Sequence, residues 1–509
     1  MITNVTQYLD RQVRLHSKKI AVRDEKNSLT FEDIYEGAIN LADYIGEMQR
    51  RINKPIIVFC EKSIIEYVAF MGILYSGNYY VPLDVKMPEE RLKLIIDLLE
   101  CDIAVGSIQY KELLVRAGFQ GKFVFIEELK FDKKIFHRKV ENKKIIDTDP
   151  AYILFTSGST GIPKGVVISH RAIIDYIEWQ CQYLPFDNQV VLGNQAPFYF
   201  DASMPDIYTP LCIGATLVII PESKFSAPFE LINFINEFYI NTLIWVPSAL
   251  TILTMRDFFT EKKINDLRLV MFCGEVMPMK HLNIWRKYYP DTKFINLYGP
   301  TEAAYACAYY KIEKVYNDED TIPIGYACEN TDIFVLDEWD KLVEGNQEGE
   351  LCIRGSSLAN GYYKDKEKTD QVFVRNPINQ EYDERIYRTG DIVKYNSYGE
   401  LEFLGRKDFQ IKYMGYRIEL GEIESAAYGM RLIQQSCVLY DEKYKKIVLF
   451  CTASESISES EIYRFLKKRL PKYMLPARII VIDKMPMNAN GKIDRLQLKR
   501  LWDEELRGN

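Results

Sequence analysis

LFTSGSTGIPKG, residues Leu154–Gly165, continues an apolar run, Ala151-Tyr152-Ile153-Leu154-Phe155, that reads as a buried strand. The strand pattern then stops abruptly. Thr156, Ser157, Ser159 and Thr160 are interleaved with Gly158, Gly161 and Gly165, and Lys164 adds one cation. Glycines let a backbone come close to a ligand, and hydroxyls and exposed N–H groups donate to phosphate oxygens. By itself a loop of this composition reads first as a Ser/Gly surface turn and second as a polyphosphate cradle. It is not the GxxxxGK[ST] loop, because Pro163 stands where that loop needs glycine and Gly165 where it needs a hydroxyl.

On both sides of the loop the chain alternates strands with helices. Thr30 can cap a helix whose apolar positions, Phe31, Ile34, Ala38, Leu41 and Ile45, share one face. A strand (56–60), a helix (63–75), a strand (79–82), a helix opened by Pro88 and a strand (103–105) follow. After the loop come strand 166–168, helix 172–180, strand 190–193, helix 204–213 and strands 216–220, 242–246, 269–273 and 294–297, with a helix near 281–289. This rhythm implies parallel βαβ units. From about Thr321 short strands and turn signals mark a β-rich subdomain up to Gly405. Beyond Asp408 a new α+β pattern begins, which puts a domain boundary at Arg406–Asp408. The expected architecture is α/β: an N-terminal core (1–406) of two doubly wound βα subdomains and the β-rich one, then a small mobile α+β domain (407–509).

At 509 residues the chain has room for roughly three or four such units. Its 47% hydrophobic and 27% charged residues place it with ordinary globular proteins. A net charge of −7 provides no basic stripe, which argues against a nucleic-acid partner. The ten cysteines lack CxxC spacing and read as reduced core thiols of a cytoplasmic protein. Four dispersed histidines are too few for a histidine metal site. The N-terminus has no signal-peptide pattern and no apolar run reaches spanning length, so membrane insertion is not expected.

Three further stretches carry chemistry. NLYGPTEA, Asn296–Ala303, directly follows a strand, and ligands collect at strand ends of open parallel sheets. One turn there supplies an aromatic face (Tyr298), a hydroxyl (Thr301) and a carboxylate (Glu302), which suits a base and the Mg²⁺ that accompanies phosphates. It equally suits a capped helix start. YRTGD, Tyr387–Asp391, places Asp391 in a tight turn where a carboxylate can hold a ribose diol; GELEFLGRKDFQIKYMGYRIELGEIE, Gly399–Glu424, follows it. NANGKIDR, Asn488–Arg495, puts Lys492 in a polar turn, where an isolated lysine is ordinarily a solvated loop residue.

Together and in this order, the four motifs make the chain resemble the adenylate-forming (acyl-activating) enzyme superfamily, and within it the amino-acid adenylation domains of nonribosomal peptide synthesis. FCGEVMP (Phe272–Pro278) and KDFQIK (Lys407–Lys412) look most like the stand-alone D-alanine–carrier protein ligases. The resemblance implies an ATP site. Thr156, Ser157, Gly158, Ser159, Thr160, Gly161 and Lys164 would close over the β- and γ-phosphates. Asn296, Leu297, Tyr298 and Gly299 would border the nucleotide, with Tyr298 stacked on adenine. Asp391 would hold the ribose with help from Arg406, while Thr301 and Glu302 serve the reaction and Glu302 helps hold Mg²⁺. Lys492 would bridge the substrate carboxylate and α-phosphorus. The C-terminal domain would then swing about Asp408, withdraw Lys492 and bring in Lys412 and Gly415, the latter lining a tunnel for a phosphopantetheine thiol.

FDAS, Phe200–Ser203, separates branches of the superfamily. The resemblance implies that Asp201 pairs with a substrate α-ammonium; read from the residues alone, Asp201 is also a candidate helix N-cap. Matching the pocket positions adds Ala202, Pro205, Ser248, Met271, Cys273, Gly274, Leu297, Tyr305, Ala306 and Lys492. Cys273 stands where D-alanine ligases also carry cysteine. Tyr305 would shorten the pocket, and Ala202 and Pro205 would open it. The implied substrate is a small or medium uncharged amino acid, D-alanine first. The implied partner is a phosphopantetheinylated carrier protein acting in trans, since no LGGxS-type site follows Lys492. An acyl- or aryl-CoA ligase and a non-catalytic nucleotide-binding homologue are the alternatives.

Overall fold

The computed structural model describes residues 2–129, 145–158, 161–487 and 493–508. Among them, one sheet has seven strands in the order Gly361–Tyr362, Lys164–Ser169, Pro150–Thr156, Tyr79–Pro82, Pro55–Phe59, Ile103–Gly106, Lys122–Phe125. The last five run parallel; the first two are antiparallel to their neighbours. A nine-stranded sheet has a parallel centre from Lys293–Tyr298 through Leu269–Phe272, Thr242–Trp245, Val191–Asn194 and Thr216–Ile219 to Ile20–Arg23, with antiparallel strands at both edges. The expected βα rhythm is therefore present with one departure. Strand Lys164–Ser169 folds straight back on Pro150–Thr156, pairing Thr156 with Lys164. The phosphate-type loop closes a hairpin and does not open a helix, so no helix dipole adds to its donors.

Local chemistry explains the element starts. Thr30 caps helix Phe31–Met48 in a full capping box with Asp33, and Ser63 and Ser169 cap helices Ile64–Tyr75 and His170–Tyr183. Helices Ile64–Tyr75 and Met204–Ile213 fasten the two sheets together. Tyr67 donates to the Ile207 carbonyl (2.8 Å), Tyr80 and Tyr208 share a hydroxyl bond (2.9 Å), and Phe70 stacks on Tyr80. One apolar core runs through this contact and reaches Met271, Leu297, Tyr298 and Tyr305. The back of the site is thus built into the main core.

A five-stranded antiparallel sheet holds Thr331–Leu336, Gly349–Gly355, Arg385–Tyr395, Phe373–Arg375 and Leu401–Arg406. Beyond it a hairpin, Gln410–Tyr413 with Tyr416–Glu419, leads into helix Leu420–Tyr428. A three-stranded sheet (Ile433–Asp441, Lys446–Ala453, Arg478–Val481) then packs with helices Leu420–Tyr428 and Glu459–Lys467 around a separate apolar core. Among the described residues, no helix is long and apolar enough to cross a membrane.

Candidate active site

Strand ends assemble the site. Tyr298 ends a parallel strand, and its hydroxyl donates to Asp391 in the five-stranded sheet. Asp391 stands opposite Arg406 in the strand register, so the cross-strand pair brings the guanidinium onto the carboxylate. Arg406 also grips Asp408, with Nε–Oδ1 of 2.6 Å and Nη2–Oδ2 of 2.7 Å. The expected ribose-holding pair and the expected hinge residue therefore form one chain of charges. Gly299 packs where a Cβ would lie 2.5 Å from the Ala306 Cα, so the YG step admits no side chain. Asn296 points elsewhere: its amide donates to the Pro323 carbonyl at 2.9 Å.

Neither capping alternative holds. Pro300 precedes the short 3-10 turn Thr301–Ala303 without a side-chain cap, and the Asp201–Ser203 turn and the Met204–Ile213 helix likewise have none. Instead the Thr301 hydroxyl donates to Asp201, joining two motifs a hundred residues apart. Asp201 keeps some open surface, while its carboxylate is packed round by protein. That burial pushes its carboxyl up, and Thr301 and the Lys412 ammonium pull it back. Behind it, Cys273 is buried and burial pushes its thiol up to about 11, with the Tyr305 hydroxyl on its sulfur. Tyr305 follows Ala304 in left-handed backbone (φ 88° and 50°), and its ring meets Tyr176 edge-on at 5.6 Å. Met271, Leu297 and Ala306 are buried alongside, Ala202 lies in the Asp201–Ser203 turn and Pro205 in the first turn of the helix that follows. Ser248 contributes its N–H, which donates to Glu275 at 2.9 Å.

Glu302 is fully buried. Its Oε1 accepts from the Tyr362 hydroxyl (2.7 Å) and its Oε2 from Arg417 (2.6 Å). Burial alone would raise its carboxyl; Arg417, then Lys164 and Tyr362, outweigh that and hold it down at about 2. A folded value below the ordinary 4.5 means that Glu302 stabilises the fold above pH 4.5 and loses this as the pH falls toward 2. The expected result is a wild-type advantage in thermal midpoint over Glu302→Gln that is full near pH 7 and shrinks below about pH 5, checked by melting both proteins across that range.

Four acidic or basic residues that the sequence reading did not single out, Arg91, Arg417, Glu419 and Glu422, complete the arrangement. The hairpin and following helix are docked onto the phosphate-type loop. Ser157 Oγ donates to the Arg417 carbonyl (2.8 Å) and accepts from Glu419 N (3.1 Å). Gly158 N donates to Glu422 Oε2 (3.1 Å), Lys164 Nζ lies 3.3 Å from Glu419 Oε1, and Arg91 pairs with Glu422. Carboxylates thus sit on donors expected for phosphate oxygens. Lys412 is also in the site, its ammonium 5.4 Å from the Tyr298 ring centroid, on the ring expected to face adenine. Ser159, Thr160 and Lys492 lie outside the described residues. Arg417, Glu419 and Glu422 did carry a signal, since they share the quoted YRIELGEIE run; Tyr362 carried none.

Solved structures with this fold include adenylation domains. Holo-PA1221, an NRPS protein containing adenylation and PCP domains, matches with a TM-score of 0.79 and 25% identity over 98% of this chain and 84% of that one. The Vibrio cholerae adenylation domain AlmE matches with a TM-score of 0.84 and 23% identity over 98% of both. The chain belongs to the AMP-binding enzyme family, whose model matches residues 9–363, with the AMP-binding enzyme C-terminal domain model matching 422–492. It is 33% identical to a mycosubtilin synthase of Bacillus subtilis, over 97% of this chain but 19% of that protein. It is 31% identical to tyrocidine synthase 1 of Brevibacillus parabrevis, over 99% of this chain and 45% of that protein. The chain thus spans less than half the length of these two relatives. The D-alanine–D-alanyl carrier protein ligase of Lacticaseibacillus rhamnosus is 31% identical over 98% of this chain and 99% of its own length.

Proposed function

We propose that this protein is an AMP-forming ligase that activates a small uncharged amino acid, D-alanine first, and passes it to the phosphopantetheine thiol of a carrier protein. The observation that carries the reading is Asp201: a carboxylate packed into the strand-end site that accepts from Thr301 and answers to the positive charge of Lys412. Such a group favours a substrate with an α-ammonium and disfavours a plain acid. Tyr305, lying against Cys273 and Tyr176, supports a short side chain. End-to-end similarity to D-alanine ligases supports D-alanine as the first candidate.

In the first step the substrate carboxylate attacks the α-phosphorus of ATP, and the bond to the β-phosphate oxygen breaks, releasing pyrophosphate. The carboxylate is already ionised, so positioning and charge stabilisation suffice without a general base. Lys492 neutralises charge at the reacting centre, Asp391 and Arg406 hold the ribose, and Thr156–Lys164 hold the leaving phosphates. Thr156 Oγ1, buried without a hydrogen-bond partner among the described residues, fits that role. Glu302, a carboxylate beside the expected phosphate donors, would hold Mg²⁺ together with nucleotide oxygens, which suits a hard cation that takes one or two carboxylates plus phosphates. Bound there, it would neutralise phosphate charge. Glu302 would be available to it only once Arg417, which now donates to the same carboxylate, has withdrawn.

In the second step the thiol sulfur attacks the acyl carbon, the bond to the AMP oxygen breaks, and the thiol proton leaves. The docked hairpin suits this step, with Lys412 and Gly415 at the site and carboxylates on the phosphate loop. We place the hinge between the two arrangements at Asp408, with residues 407–509 as the moving domain.

The test is amino-acid-dependent exchange of pyrophosphate into ATP over D- and L-amino acids. Exchange with small uncharged amino acids is expected; CoA-dependent AMP release with fatty or aromatic acids alone would reject the reading. Lys492→Ala is expected to lose exchange while still passing a supplied aminoacyl adenylate to a thiol, and Lys412→Ala to show mainly a transfer defect. Equal losses in both steps for both variants would reject the two-arrangement account.

A further inference from the structure

Glu275 lies in the loop that follows strand Leu269–Phe272, just after Gly274 turns the backbone at φ +94°. Its two carboxylate oxygens serve different parts of the molecule. Oε2 accepts from Ser248 N at 2.9 Å, in the first turn of Pro247–Ile252 and within the expected substrate wall. Oε1 accepts from Gly415 N at 2.9 Å, at the tip of the C-terminal hairpin. Gly415 and Met414 form the two-residue turn with φ of 79° and 51°, the left-handed pair that joins tightly twisted hairpin strands. The turn presses so close that a Cβ on Gly415 would lie 2.9 Å from Val246 Cγ1. No side chain fits between, so Glu275 reaches the backbone N–H itself.

We propose that Glu275 is a positioning residue for the transfer step: its carboxylate clamps the Met414–Gly415 turn to the substrate wall and so sets the position of the passage for the acceptor thiol. The inference rests on the two-step reading above. In the adenylating arrangement Oε1 is released to solvent, because Glu275 is only half-buried. The clamp therefore costs little when open and acts only on the second step. A carboxylate suits this better than an amide. Both oxygens accept, each in a charge-assisted bond, whereas an amide has one oxygen and would turn its NH₂ against one of the two N–H groups.

The experiment compares wild type, Glu275→Gln and Glu275→Asp in two assays: amino-acid-dependent pyrophosphate exchange, and single-turnover transfer from enzyme-bound aminoacyl adenylate to free pantetheine. Glu275→Gln is expected to exchange within about twofold of wild type and to transfer about tenfold more slowly, through kcat and not through KM for pantetheine. Glu275→Asp keeps the charge but draws the carboxylate back by one methylene, out of reach of holding both N–H groups at once, so it is expected to match the Gln variant. Unchanged transfer in Glu275→Gln, a parallel fall in both assays, or wild-type transfer in Glu275→Asp would each overturn the clamp. Absence of exchange in the wild-type protein with every amino acid would overturn the two-step reading, and the clamp with it.

Discussion

Asp201→Ala is expected to abolish amino-acid-dependent pyrophosphate exchange, lowering it by at least a hundredfold while leaving the thermal midpoint near that of wild type. The two expectations come from the same geometry. The Asp201 carboxylate caps neither the turn nor the helix that follows, so its removal loses little beyond the bonds from the Thr301 hydroxyl and the Ala202 N–H, each worth about 1 kcal/mol. What a bound amino acid loses is larger. An enclosed ammonium left without its carboxylate costs roughly 3–5 kcal/mol, which corresponds to a hundredfold or more in kcat/KM. Asp201→Asn keeps the size and the Thr301 bond but removes the charge, and is expected to be nearly as inactive. Exchange at the wild-type rate in either variant would show that the ammonium is held elsewhere.

Arg417→Ala should separate the two half-reactions. Its guanidinium is the cation on Glu302, which is fully buried, and its carbonyl accepts from Ser157 in the phosphate-type loop. Breaking a buried pair by removing one partner costs roughly 3–5 kcal/mol. That cost falls on the docked arrangement alone, because Glu302 would meet Mg²⁺ and not Arg417 during adenylation. Transfer from a preformed adenylate is therefore expected to fall by about a hundredfold, with exchange kept within severalfold of wild type. Measuring both steps on the same protein decides it: an equal fall in each would show that Arg417 supports Glu302 throughout the cycle. Arg417→Lys, which keeps the charge but not the fork, is expected to lie between the two.

The elements themselves were largely legible in the sequence. Thr30 and Ser63 mark helix starts because a side-chain oxygen followed by an amphipathic or apolar run is a local signal, and strand Tyr79–Pro82 and helix Met204–Ile213 have their expected bounds. The loop Thr156–Lys164 was recognised by composition, but not its place in a hairpin. A strand after a glycine-rich loop has the same apolar alternation whether it returns antiparallel or follows a crossover. Asp201 was legible as a carboxylate with two possible roles, and only the structure shows that neither the turn nor the helix after it has a side-chain cap. Tyr362 was not legible as a site residue, and Arg417 and Glu275 lay within motif stretches that did not reveal their partners. Arg417 meets Glu302 across 115 residues of chain, and Glu275 meets Gly415 across 140. Side chains on a charged strand or in a short loop look like solvated surface until the fold brings a buried partner to them.

The sequence alone determined the family-defining motifs, their order and the βα rhythm of the core, because each depends on neighbours within a few residues. Only the tertiary structure decided which motifs touch. It set Asp391 beside Tyr298 and Arg406, turned Asp201 to Thr301, and laid Glu419 and Glu422 on the phosphate-type loop. These are charged and polar contacts between distant segments, and their partners are chosen by packing geometry, which no local pattern of residues encodes.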